Sequence, residues 1–530
     1  MIKVRQIKVD VKKDSFYEVK LRCAEKLKIK MEDIQDMILC KKSIDARDKE
    51  NVCYVYEVNV LVDDEKKYIR RKNKDIDKYK EVKYKKIKMG SEMLEHRPII
   101  VGSGPSGLFA ALLLAEYGYK PLVLERGEKI EDRVKTVEKF WNTGELNTES
   151  NVSFGEGGAG TFSDGKLNTM VSDKEGRIKK IFDTFIKCGA PGNIAIDSKP
   201  HIGTDVLRDV IINLRNMIIS LGGEIRYNSC VTDFEIENDS IKNVIVNNNE
   251  KIETDICIFA IGHSARDTIE MLYNKGMIMS SKAFAVGVRI QHPQSLINES
   301  QYGDFSKYLP NASYKLTYNT SNKRGVYSFC MCPGGYVVNS SCEEGHLMIN
   351  GMSYNDRNSG NANSAIVVTV GPDDFGVDPL NGIEYQRKLE SLAYRKGSGK
   401  IPVQLLKDYI DGKTSSEFLS VKPLFKGEYS FTDLNDIFPY YINDALKEGI
   451  INFDKRIKGF AMGDAILAGI ESRTSSAVKV NRNEDFVSNI EGIYPCGEGC
   501  GYSGGIITSC IDGIKVSEKI IRKYSKKNIK

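Results

Sequence analysis

Val101-Gly102-Ser103-Gly104-Pro105-Ser106-Gly107 stands between the apolar run Pro98 to Val101 and the Ala/Leu-rich stretch Leu108 to Ala115. The pattern predicts a strand, a tight glycine turn and a helix. A dinucleotide pyrophosphate must come close to the backbone at the positive end of a helix, and a side chain there would hold it off. Gly102 permits the turn, Gly104 lets the phosphates approach and Gly107 lets the helix pack on the strand, with Pro105 and Ser106 opening the helix. A second strand, Lys120 to Leu124, delivers Glu125, 23 residues past Gly102, followed by Arg126. The acid is placed to accept hydrogen bonds from adenosine ribose hydroxyls, and its charge disfavours a 2′-phosphate.

Three further segments, in chain order, turn this cradle towards FAD. The loop Ser150 to Leu167 holds five glycines, among them Gly157 and Gly158, whose backbone amides suit an anion-binding concavity; Thr161, Ser163 and Lys166 add side-chain donors. Asp255 to Ser264 is an apolar strand closed by Ala260-Ile261-Gly262, preceded by short strands at Gly223 to Tyr227, Val231 to Ile236 and Lys242 to Val246. This resembles the β-meander and Ala-x-Gly strand end of two-dinucleotide-fold flavoproteins, in which the backbone near Val231 would meet adenine. Gly492 to Gly505 resembles the C-terminal flavin motif of glutathione-reductase-like proteins. Gly497-Glu498 matches the motif's acid, and a helix opening at Gly504, Gly505 and Ile506 points its N-terminus at the flavin.

Composition limits the remaining classes. With 530 residues, 41% of them apolar and 28% charged, the chain predicts about three globular domains. No apolar run reaches the length of a membrane span, and Met1 to Asp10 reads as a strand rather than a leader, so a cytoplasmic protein without a membrane partner is expected. Twelve scattered cysteines fit reduced thiols, and with five histidines and no paired CxxC spacing no metal site is expected. Between Lys66 and Lys88, twelve Lys/Arg face three acids, with Tyr68, Tyr79 and Tyr84 interleaved. Such a stripe can attract nucleic acid, but a solvated strand or linker is the favoured reading.

Residues 1–90 form a small α+β unit, 91–280 and 455–530 the cofactor domain, and 281–454 an inserted α+β substrate domain. The segments Phe140-Trp141 to Leu146, Ser150 to Leu167, Cys330-Met331-Cys332-Pro333-Gly334-Gly335, Asn350-Gly351-Met352-Ser353 and Asn361 to Ala365 resemble a family of uncharacterised bacterial FAD-dependent dehydrogenases over essentially the whole chain. The resemblance implies an α/β fold with a glutathione-reductase-like, FAD-binding Rossmann domain and a β-meander, and non-covalent FAD. It implies no substrate.

In the inserted domain, Phe284 to Gln291 and Tyr327 to Met331 read as strands of a sheet covering the substrate side of the flavin. Arg289, His292, Cys330 and Cys332 are the candidates to face the ring. His292 is the usual residue type for acid/base work at neutral pH, although a strand-end histidine more often serves as a hydrogen-bond partner. Cys330 and Cys332 point the same way on a regular strand, but buried structural cysteine is the default reading. Lys166 is expected to stabilise negative charge on the reduced ring. Arg473 either orients an anionic substrate or pairs with Glu471. No second GxGxxG with its strand and helix lies between residues 270 and 455, so NAD(P)H would dock only transiently. The expected activity is hydride transfer between flavin N5 and a small organic substrate, with oligomeric state open. The alternatives are a flavin monooxygenase and a flavoprotein that docks RNA or a ribonucleoprotein through its basic N-terminal unit.

Overall fold

The computed structural model describes residues 1–69 and 73–526. The strand before the first glycine turn, Ile99–Val101, lies at the centre of a five-stranded sheet in the order Ile493–Pro495, Cys257–Phe259, Ile99–Val101, Leu122–Leu124, Glu224–Arg226. Each neighbouring pair is parallel. Such a sheet is covered on both faces, which explains strands apolar at every position. Ile100, Val123 and Ile258 pack against the helices Pro105–Glu116 and Ile506–Lys523, while Ile99, Leu124 and Phe259 pack against Phe234 and Val244. The fold is α/β with a Rossmann-like dinucleotide domain, as expected.

Phe234 and Val244 belong to the antiparallel meander Val231–Glu237, Ser240–Val246, Glu250–Glu253. Here the structure corrects the sequence reading. The segment read as the meander's first strand, Gly223 to Tyr227, supplies Glu224–Arg226 to the parallel sheet, and the third meander strand is Glu250–Glu253. Partner choice decided this, since Leu122–Leu124 lies far away in sequence.

A second, seven-stranded sheet runs in the order Thr317–Asn319, Gly325–Cys332, Asn361–Val370, Phe284–Pro293, Ile466–Glu471, Ile401–Leu405, Tyr429–Phe431. Ile466–Glu471, counted above with the returning cofactor segment, pairs antiparallel with Phe284–Pro293 and so sits inside this sheet. Alternation along Phe284–Pro293 sorts its side chains. Val286, Val288 and Ile290 join the cluster that includes Ile442 and Leu446 of the helix Tyr440–Phe453, whereas Ala285, Gly287, Arg289 and Gln291 point to the other face. There a Cβ on Gly287 would stand 2.0 Å from the Ile366 carbonyl oxygen, so only glycine lets the neighbouring strand run this close.

The N-terminal unit is a four-stranded sheet, Asp36–Asp45, Cys53–Leu61, Ile2–Asp10, Ile76–Lys78, with the helix Phe16–Leu27 packed on it. Ser15 caps that helix by accepting from the Glu18 amide. Of the basic stripe, Arg70, Arg71 and Lys72 lie outside the described residues. The part from Tyr84 to Ile87 lies against the cofactor domain: the Tyr84 hydroxyl donates to Glu518 at 3.0 Å, and the Ile87 amide to the Tyr117 hydroxyl at 2.6 Å. No helix among the described residues is long and apolar enough to cross a membrane, and none of their His, Cys, Asp and Glu side chains group to hold a metal ion.

Candidate functional site

An elongated cavity runs from the meander, past the fingerprint turn, to the wall of the seven-stranded sheet. On the parallel-sheet side its lining is backbone. The helix Pro105–Glu116 starts at Gly104 with no side chain capping its first turn, so its N-terminal dipole faces the cavity. A Cβ built on Gly104 meets nothing nearer than Gly158 Cα at 4.0 Å, and those on Gly262 and Gly504 meet nothing within 4 Å. On Gly505 the nearest atom is Thr508 Oγ1 at 3.9 Å. These glycines leave room on the cavity side, and the second helix, Ile506–Lys523, opens there without a side-chain cap as well.

Other glycines of the motifs do a different job. A Cβ on Gly107 would stand 2.0 Å from the Gly102 carbonyl oxygen, on Gly157 2.3 Å from Thr161 Oγ1, and on Gly497 2.4 Å from Ser106 Oγ. Gly107, Gly157 and Gly497 therefore sit behind the lining, packing strand, helix and loop together. Gly102, with φ +98°, shapes the turn itself.

At the meander end, Glu125, Arg126 and Val231 line the cavity, but both charged groups are already engaged. Glu125 Oε2 accepts from the Ser103 amide at 2.9 Å and its hydroxyl at 2.7 Å; Oε1 accepts from the Gly127 and Gly155 amides, each at 3.0 Å. A carboxylate offers about four acceptor positions. In this arrangement Glu125 ties the fingerprint turn to the glycine loop and offers no free acceptor to a ribose. Arg126 forks onto Asp267 and Glu149 at 2.9–3.0 Å and lies over the Phe154 ring.

The opposite wall comes from the seven-stranded sheet. Glu471 lines the cavity, and Arg289 Nε donates to its Oε2 at 2.7 Å. The same guanidinium reaches Asn363 Oδ1 at 2.7 Å, Asn350 Oδ1 at 3.1 Å and the Cys330 carbonyl at 3.3 Å. Burial pushes the Glu471 carboxyl above its usual range, and Arg289 only partly offsets it. Arg473 also reaches the cavity, yet it pairs with neither Glu471 nor open space. Its Nε and Nη2 donate to Glu390 at 2.9 and 2.7 Å and its Nη1 to Cys342 Sγ at 2.9 Å. Glu390 is shared with Arg266, which anchors the wall to the cofactor domain.

Lys166 and His292 do not line the cavity. Lys166 Nζ is 3.0 Å from Asp164, which Arg357 and Ser353 also hold. Burial opposes its charge, but Asp164 together with Cys332 and Cys330 outweighs that and raises its pKa. His292 falls on the even-numbered face of its strand, with Val288 and Ile290. Its ring packs 4.5 Å from that of Phe460 and Nε2–H donates to the Phe460 carbonyl at 2.7 Å. Burial lowers its pKa to about 4. The histidine that does reach the cavity is His263, whose Nδ1 is 3.3 Å from Glu498 Oε1. Its sequence signal was its place beside Gly262. Arg289 and Glu471 were each in view in the sequence, but nothing local paired them.

A glycine-backed cradle between two uncapped helix starts, closed by a polar sheet, defines a dinucleotide-binding flavoprotein. Residues 283–474 match the family described as "FAD-dependent protein, C-terminal domain-like", residues 100–155 match an NAD(P)-binding Rossmann-like domain, and residues 1–61 match a domain of unknown function. An uncharacterized protein of Clostridium beijerinckii is 50% identical over 520 residues, which span 96% of this chain and 97% of that protein. The chain belongs to the same family as that protein, and its residues 283–474 carry the domain of FAD-dependent proteins. It is also 26% identical over 197 residues to the thiamine thiazole synthase of Methanococcus vannielii, covering 37% of this chain and 63% of that protein. A geranylgeranyl bacteriochlorophyll reductase-like structure from Thermoplasma acidophilum is similar with TM-score 0.33 and 13% identity, covering 81% of this chain and 79% of that one. The cofactor is FAD, and the space left at Gly104, Gly262 and Gly504 fits a group that must approach backbone closely.

Proposed function

We propose that this chain is an FAD-dependent dehydrogenase or reductase acting on a small organic substrate admitted between the glycine cradle and the seven-stranded sheet. The observation that carries this reading is the buried Arg289–Glu471 pair on the wall opposite the two helix starts. Non-covalently bound FAD supplies hydride acceptance and donation at N5. The chain's own residues supply position and charge. Gly104, Gly504 and Gly505 let the cofactor approach backbone, and the uncapped helices favour negative charge near them. Glu471, with its raised pKa, is suited to hold a proton at its carboxyl, while Arg289 fixes where that carboxyl points. His263, 3.3 Å from Glu498, is a second polar side chain on the same cavity. Arg473 is committed to Glu390, so it acts as a fixed positive element of the wall.

The test is anaerobic absorbance of the FAD-loaded protein during addition of NADH, then NADPH, then oxygen. Reduction by one nicotinamide with slow reoxidation supports a nicotinamide-linked reductase. Fast reoxidation with a hydroxylated product supports a monooxygenase instead. A protein that binds no FAD overturns the reading.

A further inference from the structure

The cavity carries a pair of thiols that hydride transfer does not use. Cys330 lines it, and Cys332 is fully buried behind. Regular alternation would send Cys330 to the face opposite Phe329. Instead, the pairing of Gly325–Cys332 with Asn361–Val370 breaks register between Phe329 and Cys332, and Cys330 adopts φ +45°. A bulge of this kind re-aims a side chain, and a left-handed non-glycine residue is the sort of strain that gathers at functional sites. The Cys332 thiol donates to the carbonyl oxygen of Cys330, at 3.4 Å.

Two cations stand beside the pair. Arg289 Nη1 donates to the Cys330 carbonyl, and the Lys166 ammonium is buried with Asp164 as its ion-pair partner. The adjacent Cys332 side chain holds the Cys330 thiol well below the ordinary thiol range; burial opposes this, and Lys166 and Arg289 reinforce it. The Cys330 side chain, with burial, pushes Cys332 up. By contrast, burial pushes the Cys500 thiol up to about 12. A thiol whose ionised form is favoured, next to a second thiol, is the arrangement of a reactive dithiol.

We propose that Cys330 and Cys332 form a redox-active dithiol that exchanges two electrons with FAD bound in the cavity. The proposal rests on the reading of this cavity as the FAD site. Cys330 thiolate and Cys332 thiol together lose two electrons and one proton as the S–S bond forms; oxidised FAD takes up both electrons and the proton. The reverse step opens the bond. The geometry allows closure: residues two apart on an extended strand are roughly 6.6 Å apart at about 3.3 Å per residue, near the long limit of roughly 6.8 Å for a disulfide, and the bulge shortens that span. A strained bond of this kind is easily reduced, as an exchanging couple requires.

The experiment has two arms. Flavin-free full-length protein is reduced, freed of reductant and equilibrated with oxidised glutathione; alkylation under denaturing conditions then counts thiols. The expected result is two fewer than the twelve present, with the peptide holding residues 330 and 332 two hydrogens lighter. Cys330→Ser, and independently Cys332→Ala, abolish the loss. Retention of every thiol, or loss mapped to other cysteines, overturns the dithiol. In the second arm, the oxidised FAD-loaded protein is titrated with dithionite. The wild type is expected to take up four electrons and Cys330→Ser two, each couple carrying two. If the pair closes but both proteins take up two, exchange with FAD is overturned while the FAD site stands. If FAD does not bind, the cavity reading and the exchange fall together, and the first arm still reports on the pair.

Discussion

Across the cavity proposed to hold FAD, the wall made by the fingerprint turn and the C-terminal helix presents glycines with open space at Gly104, Gly262 and Gly504. The wall made by the seven-stranded sheet presents Glu471 and Arg473, each a buried charge held by a buried partner. One surface is shaped by leaving atoms out. The other is built by fixing charges where water screens them little. The first therefore fails when anything is added, and the second fails when one member of a pair is removed.

The largest expected effect is on the charged wall. Arg289→Leu leaves Glu471 buried without its cation and Asn363 without its donor, which costs about 3–5 kcal/mol of folding stability by chemical denaturation. The double variant Arg289→Leu, Glu471→Leu is expected to recover more than half of that, because the uncompensated charge is gone. A double variant as unstable as the single one would mean that packing, not charge pairing, holds this wall.

His292 sharpens the same point from behind the wall. Its pKa falls from 6.5 to about 4 on folding. The folded state keeps it neutral while the unfolded chain protonates below pH 6.5, so its contribution is complete above 6.5 and is lost as pH falls towards 4. The loss amounts to about 3 kcal/mol at about 1.4 kcal/mol per pH unit. His292→Gln is expected to flatten stability between pH 6.5 and 4, and an unchanged slope would assign that pH dependence to other groups.

The glycine wall should break differently. Gly104→Val places its side chain in the open cradle rather than against protein, so the apoprotein is expected to melt within a few degrees of wild type. FAD affinity should drop about a hundredfold, or about 2.7 kcal/mol, by fluorescence titration. Gly107→Val meets the Gly102 carbonyl and should instead destabilise the apoprotein itself. Equal melting losses in the two variants would erase the distinction between lining and packing glycines.

How much of this could be read in the sequence follows the same division. The cradle was legible because its signals are local: a strand, Gly102, Gly104, Gly107 and a helix follow one another, and Gly504-Gly505-Ile506 again opens a helix. The charged wall was not, because Arg289 and Glu471 are 182 residues apart and meet only when Phe284–Pro293 pairs with Ile466–Glu471. Within one strand, alternation separated Arg289, facing the wall's partners, from His292, facing Phe460; residue type alone favoured the histidine. Cys330 escapes even alternation, since a register break re-aims it. The meander slipped for a related reason, as Glu224–Arg226 takes a partner no local pattern names.

The smallest effect tests whether a third region belongs in the comparison. Tyr84, in the basic segment that links the N-terminal unit to the cofactor domain, donates to Glu518 on the helix whose other end opens at Gly505. Burial and the neighbouring carboxylate hold its phenol above its ordinary pKa, so it stays a donor. Arg177 already grips Glu518 with two bonds, at 2.8 and 2.7 Å. Tyr84→Phe therefore removes one hydrogen bond without stranding a charge, and should cost about 1 kcal/mol of stability. The removed contact lies at the far end of the helix from the cavity, so FAD affinity should stay within about twofold, since a tenfold change would need about 1.4 kcal/mol at the site. If affinity falls together with stability, the segment braces the helix start that faces the cofactor, and the glycine wall depends on a contact outside the cavity.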